Sequence, residues 1–218
     1  MTPSITDLRI ADLRRDYSQA TLTEEEVDSD PIKQFALWFQ QAIDTEVPEP
    51  NAMGLATADR DGRPSLRIVL LKDFDERGFT FYTNYESRKG EQLLANPHAA
   101  LSFHWHALER QIRIEGTVER VAAEESDAYF GIRPIKSRIG AIASAQSRPI
   151  ASRTQLEQQF DEAEAQFGEQ PPRPAHWGGY RLNPNWIEFW QGRRSRLHDR
   201  IAYQRGIDGS WSRQRLQP

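Results

Sequence analysis

The chain has 218 residues, 38% hydrophobic and 10% aromatic, and its 28 Lys+Arg against 32 Asp+Glu give a formal net charge of −4. This is the composition of a globular domain with a real core, and its acidity argues against a polycation that coats nucleic acid. The lack of cysteine excludes disulfides, thiolate metal centres, Fe–S clusters and a Cys nucleophile, and fits a reducing compartment.

The opening MTPSITDLRIADLRRDY has no apolar leader core, and the longest aliphatic run, residues 68–71, is too short to span a bilayer. A cytoplasmic protein with no membrane contact is therefore expected. Residues 1–29 lack a sustained apolar pattern and carry Glu24-Glu25-Glu26, which predicts a mobile arm with a short helix over 10–17. Asp30-Pro31 then supplies a capping Asp and a proline at the first helical position, ahead of Ile32, Phe35, Phe39 and Ile43 at helical spacing. One domain is expected over 30–218.

From residue 52 the texture changes to β-type segments separated by turn signals: AMGLATA, Asp61-Gly62, SLRIVLLKDF, a turn at 75–78, and FTFYT. A helix-like SRKGEQLLANP precedes ALSFHW and RQIRIEGTVERV; in the latter Ile112, Ile114 and Val118 share one parity and Gln111, Arg113, Glu115 and Thr117 the other. Two helices, at 123–131 and 152–167, and a Pro-rich loop at 170–174 lead to WGGYRL, NWIEFWQG, RIAYQR and a last strand near Trp211. Strands outnumber helices and no β-α-β alternation is visible. The fold class is accordingly a β-rich α+β protein, an antiparallel closed or split β-barrel flanked by helices, with the C-terminal strands rejoining the first sheet.

No G-x-G-x-x-G, P-loop, H-E-x-x-H or G-x-S-x-G occurs, so Rossmann, P-loop, zincin and elbow-serine chemistry drop out. His104-Trp105-His106 places two imidazoles on one strand face, but without an acidic or Cys ligand at metal spacing; ordinary polar packing accounts for it and no metal is expected. Arg67 and Lys72 bracket an aliphatic strand, and Arg88-Lys89 follows the strand ending in Tyr82-Thr83. Paired cations at a strand end and a helix start suit a phosphate, although surface pairing with Asp73, Asp75 and Glu86 is the plainer alternative. Strict alternation sets Arg67 and Lys72 on opposite faces, which requires a bulge or two ligands. Residues 173–218 carry a net +6 against −10 for the rest, and the run from Ile187 to Arg200 concentrates Trp190, several arginines and His198, as a planar anionic cofactor would require.

This run resembles the C-terminal signature of the pyridoxine/pyridoxamine 5′-phosphate oxidases: an apolar–Glu–aromatic–Trp segment, here Ile187-Glu188-Phe189-Trp190, followed after a fixed gap by Arg196-Leu197-His198-Asp199-Arg200. Further matches are the 67–72 strand, Tyr82-Thr83, Ser87-Arg88-Lys89, the segment from His106 through Glu109 to Gln111, Tyr129, Arg133-Pro134, Ser137 and Gln146-Ser147. The likeness runs from about Asp30 to the C-terminus; before it only Leu13-Arg14-Arg15 and Tyr17 match, more loosely.

The resemblance implies a split-barrel homodimer with FMN in clefts between subunits. FMN positions fall on Arg67, Ile68, Val69, Leu70, Lys72, Tyr82, Thr83, Arg88, Lys89, Gln111, Gln146, Ser147, Trp190 and Arg200. The substrate phosphate falls to Lys72, Tyr129, Arg133 and Ser137, the pyridine ring lies near Arg196 and His198 as the catalytic pair, and Arg14 and Tyr17 of the arm close over it. The implied reaction oxidises pyridoxamine or pyridoxine 5′-phosphate to pyridoxal 5′-phosphate, with oxygen as acceptor and hydrogen peroxide as product. In a β-type backbone Arg196 and His198 share parity, with Leu197 turned into the core. Two alternatives remain at this level: a split-barrel flavoprotein acting on another substrate, and a non-enzymatic binder of anionic partners.

Overall fold

Asp30 and Pro31 start the first helix as their chemistry requires. The Asp30 side chain accepts from the Ile32 N–H and proline occupies the first turn of α1 (Pro31–Asp44), where its missing N–H costs nothing. The structure, a computed structural model, is described for residues 16–218. The buried stripe of α1 is Pro31, Gln34, Phe35, Trp38 and Ala42; Ile43, expected on it, is 46% exposed, because the stripe runs through Trp38 instead.

Nine antiparallel strands follow: β1 (Ala52–Ala58), β2 (Pro64–Leu70), β3 (Asp73–Asp75), β4 (Gly78–Asn84), β5 (His98–Trp105), β6 (Arg110–Arg120), β7 (Trp177–Gln191), β8 (Asp199–Arg205) and β9 (Trp211–Arg215). Their order is β2-β1-β5-β6-β7-β4-β3, with β8 on β7 and β9 on β8. The chain leaves β2 at one end of this order and enters β3 and β4 at the other. Leu71 N–H donates to Asn51 O and Lys72 N–H to Thr80 O, at 2.8 and 2.9 Å, so two consecutive residues bridge the two ends and curl the sheet into a barrel. The expected single strand SLRIVLLKDF therefore breaks at this corner, and parity counted from Arg67 to Lys72 no longer applies. The C-terminal strands do rejoin the first sheet, β7 lying between β6 and β4.

WGGYRL and NWIEFWQG, expected as two strands, form one. The register of β6 on β7 shifts between Glu115 and Gly116, so that Asn185 is skipped beside Pro184, and the irregularity accommodates a proline that cannot donate to a ladder. A Cβ at Gly116 would lie 2.1 Å from Asn183 O, so the close approach at this bulge requires glycine.

The helices are α2 (Arg88–Ala95), α3 (Ala123–Ile132), α4 (Ile135–Ala143) and α5 (Arg153–Phe167). α4 was not expected. Its pattern of Ile135, Ile139 and Ile142 is short and interrupted by Gly140, and only Ile139 is fully buried, so its packing on α5 leaves a faint periodicity. The expected helix over 10–17 lies outside the described residues except at Asp16 and Tyr17, which are not helical. Leu22 and Val27 of the expected arm are buried at 4% and 5% exposure, so this stretch belongs to the packed body. The core gathers Phe35, Phe79, Phe103, Phe189, Tyr203, Ile112 and Ile114.

Phe35 is the knob that seats α1: its ring meets Phe74 and Phe79 at 4.9 Å and Phe103 at 5.2 Å, with interplanar angles of 75°, 79° and 60°. Phe35→Ala should cost about 3–5 kcal/mol, measured by denaturant unfolding, whereas Leu37→Ala on the exposed face of α1 should cost under about 0.5 kcal/mol.

Candidate functional site

β2 and β4 bring their ends together beside the N-terminus of α2, and α3 and α4 cover the same region from outside the barrel. Between them lies a cleft of about 1140 Å³ lined by Arg67, Lys72, Tyr82, Thr83, Arg88, Lys89, Tyr129, Arg133, Ser137, Gln146, Ser147 and Trp177, with Ile68, Val69 and Leu70. Arg67 and Lys72 thus reach one cavity through the corner at Leu71.

Lys89 is 8% exposed, and its Nζ donates to Gln146 Oε1, Thr83 Oγ1 and Ser87 Oγ at 2.9, 3.1 and 3.3 Å. Arg67 Nη1 donates to Thr57 Oγ1 at 2.6 Å and Leu55 O at 2.9 Å, and its Nη2 to Gln92 Oε1 at 3.4 Å. All these partners are neutral. Burial, with the Arg67 charge adding to it, pushes the Lys89 ammonium down to about 8; burial and the neighbouring Arg88 likewise lower Arg67. Ser87 caps α2 by accepting from the Gly90 N–H, so the helix N-terminus adds its own positive end to this socket. The donor set fits the phosphate of FMN, a dianion that would satisfy charges the protein leaves uncompensated.

A second socket lies on the α3–α4 side. Tyr82, Tyr129 and Trp177 stack, Tyr82 on Tyr129 at 4.0 Å and on Trp177 at 5.5 Å, and the Arg133 guanidinium sits 4.5 Å over the Trp177 ring. Arg133 Nη1 is buried without a hydrogen-bond partner, and burial lowers the group's pKa. Ser137 stands in the first turn of α4. Trp177, Thr57 and Gln92 organise the two sockets and were not singled out in the sequence; the spacing of Lys89 and Gln92 on one face of α2 was the available signal for the last, whereas the Trp177 stack depends on long-range docking of α3 on β7.

The remaining residues implied by the resemblance do not line this cleft. Gln111, Trp190 and Arg200 are register partners across β6, β7 and β8 and form one row on the sheet. Glu188 fixes Arg200 by accepting from Nε at 2.6 Å and Nη2 at 3.0 Å. The His198 ring packs 4.6 Å from Trp190 and 6.0 Å from Tyr17. Arg14 lies outside the described residues. The extended backbone expected for residues 196–198 is not present: Arg194–Arg196 form a 3₁₀ turn with positive φ at Ser195 and Arg196, and Leu197 is 69% exposed. The reason is that β7 and β8 end their pairing at Gln191–Asp199, leaving the intervening residues as a loop to which strand parity does not apply.

Five of the nine arginines in residues 173–218 are held in ion pairs: Arg173 with Asp127, Arg181 with Glu125, Arg193 and Arg215 with Asp199, and Arg200 with Glu188. Arg196 makes no ion pair among the described residues. The rings of His104 and His106 stand edge to face at 6.0 Å, and no group of three or more potential metal ligands occurs among the described residues. No helix among them is long and apolar enough to cross a membrane.

Fold and sockets together define a split-barrel protein with a site for phosphorylated ligands. Residues 39–167 match the pyridoxamine 5′-phosphate oxidase domain, and residues 177–218 match the pyridoxine 5′-phosphate oxidase C-terminal dimerisation region. The pyridoxine/pyridoxamine 5′-phosphate oxidase of Herminiimonas arsenicoxydans is 65% identical over 97% of this chain and 100% of its own length. That of Janthinobacterium sp. (strain Marseille) is 63% identical over the same shares, 97% and 100%. Among solved structures, PhzG from Burkholderia lata 383, in complex with tetrahydrophenazine-1-carboxylic acid, superposes with a TM-score of 0.86 at 34% identity, covering 91% of this chain and 98% of that one. An FMN-binding protein from Nostoc punctiforme PCC 73102 shares the fold, with a TM-score of 0.69 at 18% identity over 87% and 98% of the two chains. The chain belongs to the pyridoxine/pyridoxamine 5′-phosphate oxidase family.

The Lys89 socket makes FMN binding pH-dependent. Between about pH 7, where the phosphate is a dianion, and about pH 8 the ammonium is charged with or without ligand, and affinity should be flat. Above it Lys89 loses its proton in the free protein but keeps it in the phosphate-bound form, so FMN affinity should fall by up to about tenfold per pH unit. Fluorescence titration of the apoprotein should show this slope for FMN, none for riboflavin, and a flat FMN curve for Lys89→Met.

Proposed function

We propose that the protein oxidises pyridoxamine 5′-phosphate and pyridoxine 5′-phosphate to pyridoxal 5′-phosphate, with FMN as cofactor, oxygen as electron acceptor and hydrogen peroxide as second product. The observation that carries this reading is the pair of cationic sockets in one cleft: Arg67, Arg88 and Lys89 for the cofactor phosphate, and Lys72, Arg133, Tyr129 and Ser137 for the substrate phosphate. The 60–65% identical relatives bear the name of this activity.

FMN, when bound, supplies the two-electron chemistry, taking hydride from the substrate C4′ carbon and passing the electrons to oxygen. The protein's part is to bind, orient and desolvate. Val69, Leu70, Tyr82, Thr83, Gln146 and Ser147 wall the cleft around the cofactor, and Ile68 flanks it. Gln111, Trp190 and Arg200 belong to the same cofactor set but lie on the sheet face outside this cleft. Each site is completed by a second copy of the chain, so the active form is a homodimer. Edge strand β2 supports this: it exposes Leu66 at 71% and Ile68 at 69%, an apolar edge that a second subunit would cover.

His198 acts as a hydrogen-bond donor. The Arg193 N–H donates to its Nδ1 at 3.0 Å, so the neutral ring carries its proton on Nε2. Burial and the Arg196 charge lower its pKa, which keeps the ring neutral near pH 7. Nε2–H is then free to hold an acceptor on the substrate ring, and Arg196, a fixed cation, disfavours the ammonium form of the substrate amine and eases its proton loss.

Anaerobic mixing with pyridoxamine 5′-phosphate should bleach the flavin, and admitting air should restore it with one equivalent of peroxide. An unbleached flavin would point to a different substrate on the same scaffold. Arg196→Met and His198→Asn should remain yellow dimers in which flavin reduction slows by at least about tenfold while reoxidation is unchanged; stopped-flow reduction at saturating substrate measures it.

A further inference from the structure

Glu109 closes the turn between β5 and β6, and the proposed chemistry does not use it. Its backbone is left-handed, with φ 52°, a conformation that Gly or Asn adopts at lower cost than a long side chain. Its carboxylate grips the N-terminal segment, Oε2 accepting from the backbone N–H of Ser18 at 2.8 Å and of Gln19 at 3.1 Å. Those amides directly follow Tyr17, whose ring stands edge-on to Trp190 at 5.9 Å and lies 6.0 Å from His198. The Glu109 carbonyl in turn accepts from Gly192 N–H at 2.7 Å and Gln191 Nε2 at 3.2 Å. One residue therefore holds both the segment that carries Tyr17 and the strand end that leads to His198. Gly192 leaves room for the ring, since a Cβ there would lie 2.7 Å from Tyr17 Cγ.

We propose that Glu109 is a positioning residue for substrate: its carboxylate seats Tyr17 against Trp190 and His198, so that the aromatic wall beside the pyridine ring is in place before substrate arrives. The proposal rests on the assignment of Tyr17 and His198 to the substrate side. Arg193 Nη1, donating to Ala20 O at 3.2 Å, and Asp199 Oδ2, accepting from Leu22 N–H at 3.1 Å, continue the same docking farther along the chain. The carboxylate is the contact next to Tyr17, and as an ionised acceptor of two N–H groups it is the strong one.

Glu109→Gly separates this role from a structural one, because glycine relieves the left-handed backbone while removing the carboxylate. In the full-length holoenzyme, Glu109→Gly should keep its FMN, hold or raise Tm, and raise KM for pyridoxamine 5′-phosphate about tenfold, with kcat within about twofold. Tyr17→Ala should raise KM comparably, and adding Glu109→Gly to it should change KM little further, since the ring to be seated is gone. The proposal is overturned if Tyr17→Ala raises KM and Glu109→Gly does not, if the two effects multiply in the double variant, or if Tm and FMN content fall together with activity in Glu109→Gly. A Tyr17→Ala enzyme with unchanged KM overturns the substrate-side assignment itself, and the proposal with it.

Discussion

Positive charge held out of water without a carboxylate to answer it is the constraint around which this molecule is arranged. A buried ammonium or guanidinium is costly unless paired, and Arg181 and Arg200 are paired, with Glu125 and Glu188. Lys89, Arg67 and Arg133 are treated differently, since their contacts among the described residues are hydroxyls, amides, carbonyls and aromatic faces. Neutral partners hold the side chains in place without cancelling their charge. The compensation is left to an anionic ligand, and the fold has to be stable enough elsewhere to carry that imbalance.

That stability comes from the barrel and the aromatic cluster beneath α1, both of which also determine where the cations go. The bridge at Leu71 and Lys72 closes the sheet and in the same step aims Lys72 into the cleft that Arg67 enters from β2. The bulge at Gly116 lets β7 run unbroken from Trp177, stacked with Tyr82 and Tyr129, to Trp190 and Gln191, beside the His198 loop. A single strand therefore supports both groups of residues, which lie toward its two ends.

What was legible in the sequence follows the range of the interactions involved. The Asp30-Pro31 cap, the helix-like SRKGEQLLANP and the alternation of Ile112 and Ile114 are local signals, and they placed α1, α2 and β6 correctly. Arg67 and Lys72 taken alone were ambiguous because their convergence depends on a corner, and strand parity cannot describe a chain that changes partners. The net +6 of the C-terminal part pointed to an anionic ligand without saying which arginines would meet it, since five of its nine arginines are held in ion pairs with Glu125, Asp127, Glu188 and Asp199. Trp177 and Glu109 were unreadable as site residues for a related reason: one acts through a stack made by α3, the other through amides some ninety positions away. The gapped hairpin signature succeeded where single residues did not, because it encodes a loop's geometry along with its chemistry.

The loop between β7 and β8 makes that point in physical terms. The strands finish pairing at Gln191 and Asp199, and a turn of two residues would connect an antiparallel pair at low conformational cost. The chain instead spans 192–198 with a 3₁₀ turn and two successive non-glycine residues at positive φ, Ser195 and Arg196. Neither the barrel nor the core gains from this: Arg196 and Leu197 are exposed, and the register on either side is set by the strands themselves. Backbone strain of this kind persists where the surroundings enforce it, and it gathers at functional sites. Here it turns Arg196 away from internal ion pairs, and the Arg193 N–H at the loop's start holds His198 Nδ1, so the same stretch of strained backbone sets both the position of the cation and the tautomer of the imidazole.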